Sequence, residues 1–218
     1  RKTTAEAGAE GKSSLMRPLI AAAGGAKPPL FFERPGPSDL KTIKAQMAGR
    51  KFDEKIILGI AYRCLWHAPS VVLCRPLYRG KPFPTTFWLC CPHAVKSCDS
   101  LEAAGGVREL ESFLEKMPAE WKVFGLRHSV LRMALLSRSR RRFFLFRRKA
   151  MWESIRKGRV GGTKDTSKAR VKCLHLQTAS WLALGYHPAA RWLEQRIPVA
   201  CGIDEEYYPC RKTGKIYP

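Results

Sequence analysis

The residues best placed to do chemistry lie between Gly161 and His175, in the run Gly-Gly-Thr-Lys-Asp-Thr-Ser-Lys-Ala-Arg-Val-Lys-Cys-Leu-His. A flexible glycine pair, four cations, a thiol and an imidazole there precede an apolar, helix-like stretch. Where a loop enters a helix, free backbone N–H groups and the helix dipole favour an anion. Arg170 and Lys172 would add positive charge to such a cradle. The run is not a phosphate-binding P-loop, because it lacks the Gly-Lys-Ser/Thr ending and no strand leads into it. A plain flexible connector is the alternative. Cys173 is also a candidate nucleophile, with His128, His175 or His93 as its base. Its neighbours Arg170 and Lys172 and a helix N-terminus would favour the thiolate. No acyl-transfer signature surrounds it.

The same residues are candidate metal ligands. Cys91 and His93 stand two apart at an expected strand end, so both point the same way. Cys173 and His175 are also two apart, but inside a helix that spacing separates them by about 200°. They can share an ion only if Cys173 lies in the loop or the first turn. Cys64, His128, Cys201 and Cys210 are further possible ligands. Zinc is the ion such a set would hold, although none of the spacings is a standard zinc pattern. Buried cysteines beside hydrogen-bonded histidines are the plain alternative.

A second segment, Arg138-Ser-Arg-Arg-Arg-Phe-Phe-Leu-Phe-Arg-Arg-Lys149, mixes cations with large apolar side chains. On a helix Phe143 to Phe146 would sweep roughly 300° of the circumference rather than form one stripe. Arg138, Arg140, Arg141, Arg142, Arg147, Arg148 and Lys149 suit phosphate contacts, and the aromatics suit stacking, as in RNA or single-stranded DNA binding. An anionic membrane surface is another partner, and a solvated basic helix packed on a sheet is the plain reading. The whole chain supports a polyanion, since 40 Lys and Arg against 18 Asp and Glu give a net charge of +22. Between Trp121 and Lys172, 17 basic residues face two acidic ones, so +15 of that +22 is concentrated there.

The 218 residues, 45% hydrophobic and 27% charged, are enough for one core with tails. The eight cysteines include no Cys-x-x-Cys pair and several lie in apolar runs, which fits free thiols in a reducing cytoplasm. No apolar run is long enough for a transmembrane helix. The stretch from Met16 to Ala26 faintly resembles a secretion signal with a very short apolar core, and Met16 is itself a candidate start.

Residues 1–37, rich in Ala, Gly and Pro, read as a mobile leader, and residues 198–218 as an irregular tail. Between them, hydrophobic periodicity predicts a helix over about 39–48 and strands over 55–64, 70–78 and 83–91. A turn is expected at Arg79 to Pro82, with sheet edges near the prolines. Helical period follows from Pro92, breaks at Gly105-Gly106 and resumes to Met117. A long charged helix is expected from Glu120 to about Lys157, then helices over 171–184 and 188–197. This is an α+β architecture, a small antiparallel three-stranded sheet packed against a multi-helix C-terminal part.

Five segments, taken in order, carry a resemblance. These are Tyr62-Arg63-Cys64, Pro82-Phe83-Pro84-Thr85, Cys91-Pro92-His93, Ser100-Leu101-Glu102-Ala103 and Val171-Lys172-Cys173-Leu174-His175. Together they resemble the bacterial DUF501 family over about residues 38–197. The resemblance implies a bacterial cytoplasmic protein with no known reaction. It highlights Arg63, Cys64, Lys172, Cys173 and His175, and more loosely His128. The expectation is one pocket for a phosphate-bearing or other anionic ligand. Arg63 and Lys172 would clamp charge there, and Cys173 and His175 would supply thiol and imidazole contacts. A nucleic-acid-binding module over 138–172 and a structural zinc domain are the alternatives.

Overall fold

In the computed structural model, the described residues are 32–164 and 168–199. The expected leader through residue 31, including the signal-like segment, lies outside them, as do residues 165–167 and the tail from residue 200. Strands β1 (Ile57–Arg63), β2 (Pro69–Cys74) and β5 (Phe87–Leu89) form an antiparallel sheet in the order β1-β2-β5. Between β2 and β5, the two-residue strands β3 (Leu77–Tyr78) and β4 (Lys81–Pro82) make a separate hairpin. The expected second strand therefore ends four residues early. Arg79 and Gly80 take φ values of 48° and 73°, the positive pair that a two-residue hairpin turn requires.

Every residue of β2 is buried, so the sheet needs apolar cover on both faces. Alternation along the strand divides the cover. Val72 and Cys74 face a smaller cluster with Ile43 of α1 (Pro37–Gln46) and Met47 just after it. Val71 and Leu73 face the larger core, which Phe87 and Leu89 of β5 continue. That core is closed by α2 (Pro92–Ala103), α3 (Gly106–Leu114), α4 (Pro118–Ala134), α7 (Leu174–Leu184) and α8 (Ala190–Arg196). Helices α5 (Arg138–Arg147) and α6 (Lys149–Lys157) pack through a third cluster of Leu136, Phe144 and Ile155. The α+β expectation holds. Phe32 and Glu33, placed by sequence in the leader, instead join the sheet. Glu33 pairs with Ile60, and Phe32 covers Gly59, where a Cβ would collide with its ring.

Two helix boundaries differ from expectation for local reasons. The helix expected over 120–157 is three helices. Ser137 opens α5 by accepting the Arg140 N–H at 3.3 Å, and the non-helical Arg148 (φ −139°) separates α5 from α6. The helix expected from Val171 starts at Leu174, because Cys173 is extended at φ −166°, ψ 158° and serves as N-cap.

Helix α4 also holds the turn after α6. Arg132 is 3% exposed and, among the described residues, has no carboxylate partner. Its guanidinium instead donates to the Pro84 carbonyl at 3.1 Å, the Arg159 carbonyl at 3.0 Å and the Gly158 carbonyl. Burial, with the Arg159 charge nearby, lowers its pKa to about 10, so it stays protonated at neutral pH. A Cβ on Gly158 would lie 2.7 Å from Arg132 Nη2 and 2.9 Å from the Ser154 carbonyl. Gly158→Ala is therefore expected to destabilise the protein by about 1–3 kcal/mol through overpacking, measured by urea denaturation.

His128 and His187 lie in the same core. His128 meets Phe87 and Phe124 edge-on, at ring-centroid distances of 5.7 and 5.0 Å. His187 Nδ1 accepts the Ala189 N–H at 3.0 Å, so its Nε2 carries the proton and donates to Gln177 Oε1, also at 3.0 Å. Burial lowers both pKa values to about 3. The folded state keeps both rings neutral while the unfolded chain protonates them near its ordinary value, so stability falls as pH drops below about 6.5. At pH 5 the expected loss is about 2 kcal/mol per histidine, and His128→Leu should remove roughly half of the slope of stability against pH. Stability that stays flat from pH 7 to pH 5 would contradict these environments.

Candidate metal centre

Helices α2 and α7 place the groups that sequence reasoning sought. Their register is fixed at two points one turn apart. Cys98 Sγ lies 3.4 Å from Thr178 Oγ1, and Glu102 Oε1 accepts the Leu174 N–H at 2.6 Å. Glu102 thereby caps α7 from outside that helix, a favourable place for a carboxylate. The same oxygen lies 3.0 Å from His175 Nδ1. On the other side of the ring, Nε2 lies 3.1 Å from Asp99 Oδ1, at ion-pair distance but off the line of a hydrogen bond. Asp99 and Glu102, three apart, share one face of α2.

Cys173 completes the cluster because it is the N-cap of α7 and not an interior residue. With its backbone extended, the angular argument against Cys173 and His175 meeting does not apply. Donor atoms of Glu102, Cys173 and His175 all lie within 4.8 Å of one another, and all three residues are half-buried. Among the described residues this is the group of three or more His, Cys, Asp and Glu side chains able to hold one ion. Burial raises the Cys173 pKa, and Glu102 adds to the shift. The backbone N–H groups of Leu176 and His175 and the Lys172 charge act against it. The free thiol is thus protonated at neutral pH, the opposite of what an unaided nucleophile needs.

The remaining predicted residues stand apart from this cluster. Arg63 ties the end of β1 to α1. It donates to Asp39 at 2.9 and 3.1 Å, to Glu33 at 2.7 Å and to the His67 carbonyl at 2.9 Å. The Asp39 hydrogen bonds raise its pKa further. It is committed to that junction and is not a charge clamp beside Cys173. Cys64 lies at the end of β1, with its N–H on the Ala68 carbonyl. Cys91 is the buried N-cap of α2, and His93 is two residues on along a surface groove with Lys96, Ser97 and Arg196. His128 is enclosed by aromatic rings. Arg170 and Lys172 are exposed. Arg138, Arg140, Arg142, Arg147, Arg148 and Lys149 are exposed on α5 and at its end, and Arg141 is half-buried.

The glycine loop is packed, not open. Gly161 and Gly162 adopt φ values of 63° and 83°. A Cβ would meet the Leu176 side chain at 2.5 Å on Gly161, and Pro84 at 2.8 Å on Gly162. The glycine pair therefore lies against Leu176 in the first turn of α7 and against Pro84.

Sequence reasoning did not select Asp99 and Glu102 for the site. One signal was available. They are the acidic residues of α2, and Glu102 lies in its last turn, where the dipole disfavours a carboxylate unless something positive faces it. The charge balance also differs from the expected pocket. The groups nearest His175 are two carboxylates, Glu102 and an Asp99 that also pairs with Arg50 at 3.2 Å, in place of the cation clamp expected.

The motifs around Cys64, Cys91 and Cys173 identify the chain more firmly than any chemistry does. No curated protein and no solved structure matches it. The family described as "Protein of unknown function (DUF501)" matches residues 60–195. The chain belongs to that DUF501 family.

Proposed function

We propose that Glu102, Cys173 and His175 bind a divalent metal ion of the zinc class, with an open position for water or an anionic ligand. The observation that carries this reading is the meeting of thiol, imidazole and carboxylate donors within 4.8 Å at one helix N-terminus. Tetrahedral zinc with bonds of about 2.0–2.3 Å separates its ligands by roughly 3.3–3.8 Å, so donors as far apart as 4.8 Å would have to close by about an ångström. Asp99, beside the second nitrogen of His175, is placed to orient the ring as an outer-sphere carboxylate.

The three donors found among the described residues suit a site that keeps a position for exchange, in contrast to a closed structural site with four. A metal there would lower the pKa of bound water and polarise a phosphoryl or carbonyl oxygen. It would also reverse the local charge, so that the anionic ligand expected from the basic loop is attracted by the ion itself. Lys172, exposed on the residue before Cys173, can then assist at the rim.

Purified protein, stripped and titrated with Zn²⁺ or Co²⁺, should bind one equivalent and melt at a higher temperature. Cobalt should show a thiolate charge-transfer band that Cys173→Ser removes. His175→Ala and Glu102→Gln should each weaken binding by about 100-fold or more, and Asp99→Asn by about 10–100-fold. Failure to bind stoichiometric metal would reduce the cluster to a helix cap and sink the proposal.

A further inference from the structure

The exposed large apolar side chains of the described residues concentrate on two helices, both of which pack on α6. Val123, Leu126 and Val130 of α4 and Phe143, Leu145 and Phe146 of α5 are six of the eight among the described residues. The α4 trio is spaced i, i+3 and i+7, which places it on one outward face, opposite the buried Trp121, Phe124, His128 and Leu131. In α5, Phe144 is the inward anchor, packed with Leu136 and Ile155. That anchor leaves its neighbours outside, with Phe143 51% and Phe146 67% exposed. A solvated helix has no need to present two phenylalanines and a leucine within four residues.

The charge around them has one sign. From Trp121 to Trp152 the sequence has ten Lys and Arg and no Asp or Glu. The first turn of α5 carries Arg138 and Arg140 with no acidic residue, against the helix dipole. The occupant has to offer negative charge and an apolar interior together.

We propose that α5, with the outward face of α4, docks on an anionic phospholipid bilayer. The phenylalanines and Leu145 would reach the acyl boundary, and Arg140, Arg142, Arg147, Arg148 and Lys149 would contact headgroup phosphates. Nucleic acid matches the charge but gives the aliphatic side chains Val123, Leu126, Val130 and Leu145 nothing apolar to enter. A second copy of the chain matches the apolar surface but opposes its cluster of arginines and lysines with the same cluster. No described helix is long and apolar enough to cross a membrane, so the contact is a surface one.

The test is co-sedimentation of the intact protein with phosphatidylcholine vesicles, with and without phosphatidylglycerol, at low and high salt. Binding should require phosphatidylglycerol and weaken with salt. The double variant Phe143→Ser/Phe146→Ser, at exposed positions, should keep its melting temperature and lose at least about tenfold in vesicle affinity. Arg140→Glu/Arg142→Glu should lose binding as well. Absence of phosphatidylglycerol-dependent binding overturns the proposal. So does binding that the phenylalanine variant retains in full, or that polyuridylate displaces without regard to the phenylalanines, since both describe a polyanion site.

Discussion

Strand β2 sets the terms for the rest of the chain. A strand buried along its whole length has no solvent face, so its two side-chain rows each demand a separate apolar layer. Val72 and Cys74 are covered by the short α1, and Val71 and Leu73 by the helices that follow β5. The connection from β2 to β5 is occupied by a small hairpin outside the sheet, so the chain leaves β5 directly into α2. From there α2 and α7 meet along the face of β5, and the register of that meeting decides which side chains are neighbours. The candidate metal centre is thus a consequence of sheet coverage.

Glu102 shows how a structural and a chemical role can share one side chain. Its Oε1 satisfies the Leu174 N–H of α7 and lies beside the His175 ring. A carboxylate oxygen has two lone pairs, so capping leaves capacity for a cation. Were Glu102 shorter by a methylene, the helix start and the imidazole would both lose their partner. The thiol is held in the same turn by the extended N-cap conformation of Cys173 and by the backbone N–H groups of Leu176 and His175.

Much of the fold was legible in sequence because it rests on local signals. Short, nearly continuous apolar runs located β1 and β2, prolines marked the ends of strands, and Gly105-Gly106 separated α2 from α3. The boundaries that shifted depend on features that periodicity does not encode. Ser137 starts a new helix within a stretch whose composition is helix-friendly throughout, and Val171 begins an extended segment that mimics a helical period. The site was half legible. Cys173 and His175 stand out by type and proximity, but Glu102 and Asp99 join them only through long-range packing of α2 on α7. Arg63 was misread for the complementary reason. Its charge is visible in the sequence, whereas Asp39 and Glu33, which absorb it, come from segments that fold onto β1.

Arg132 changes the character of the turn that follows α6. Its charge is solvated by the carbonyls of Pro84, Gly158 and Arg159, in place of water. Lifting that turn away would strip a buried cation of its only solvation shell among these groups, a far larger penalty than breaking neutral hydrogen bonds. Helix α4 is therefore tied to the backbone just before the glycine pair. The first turn of α7 packs through Leu176 against Gly161, so the candidate centre is buttressed from the chain that Arg132 anchors.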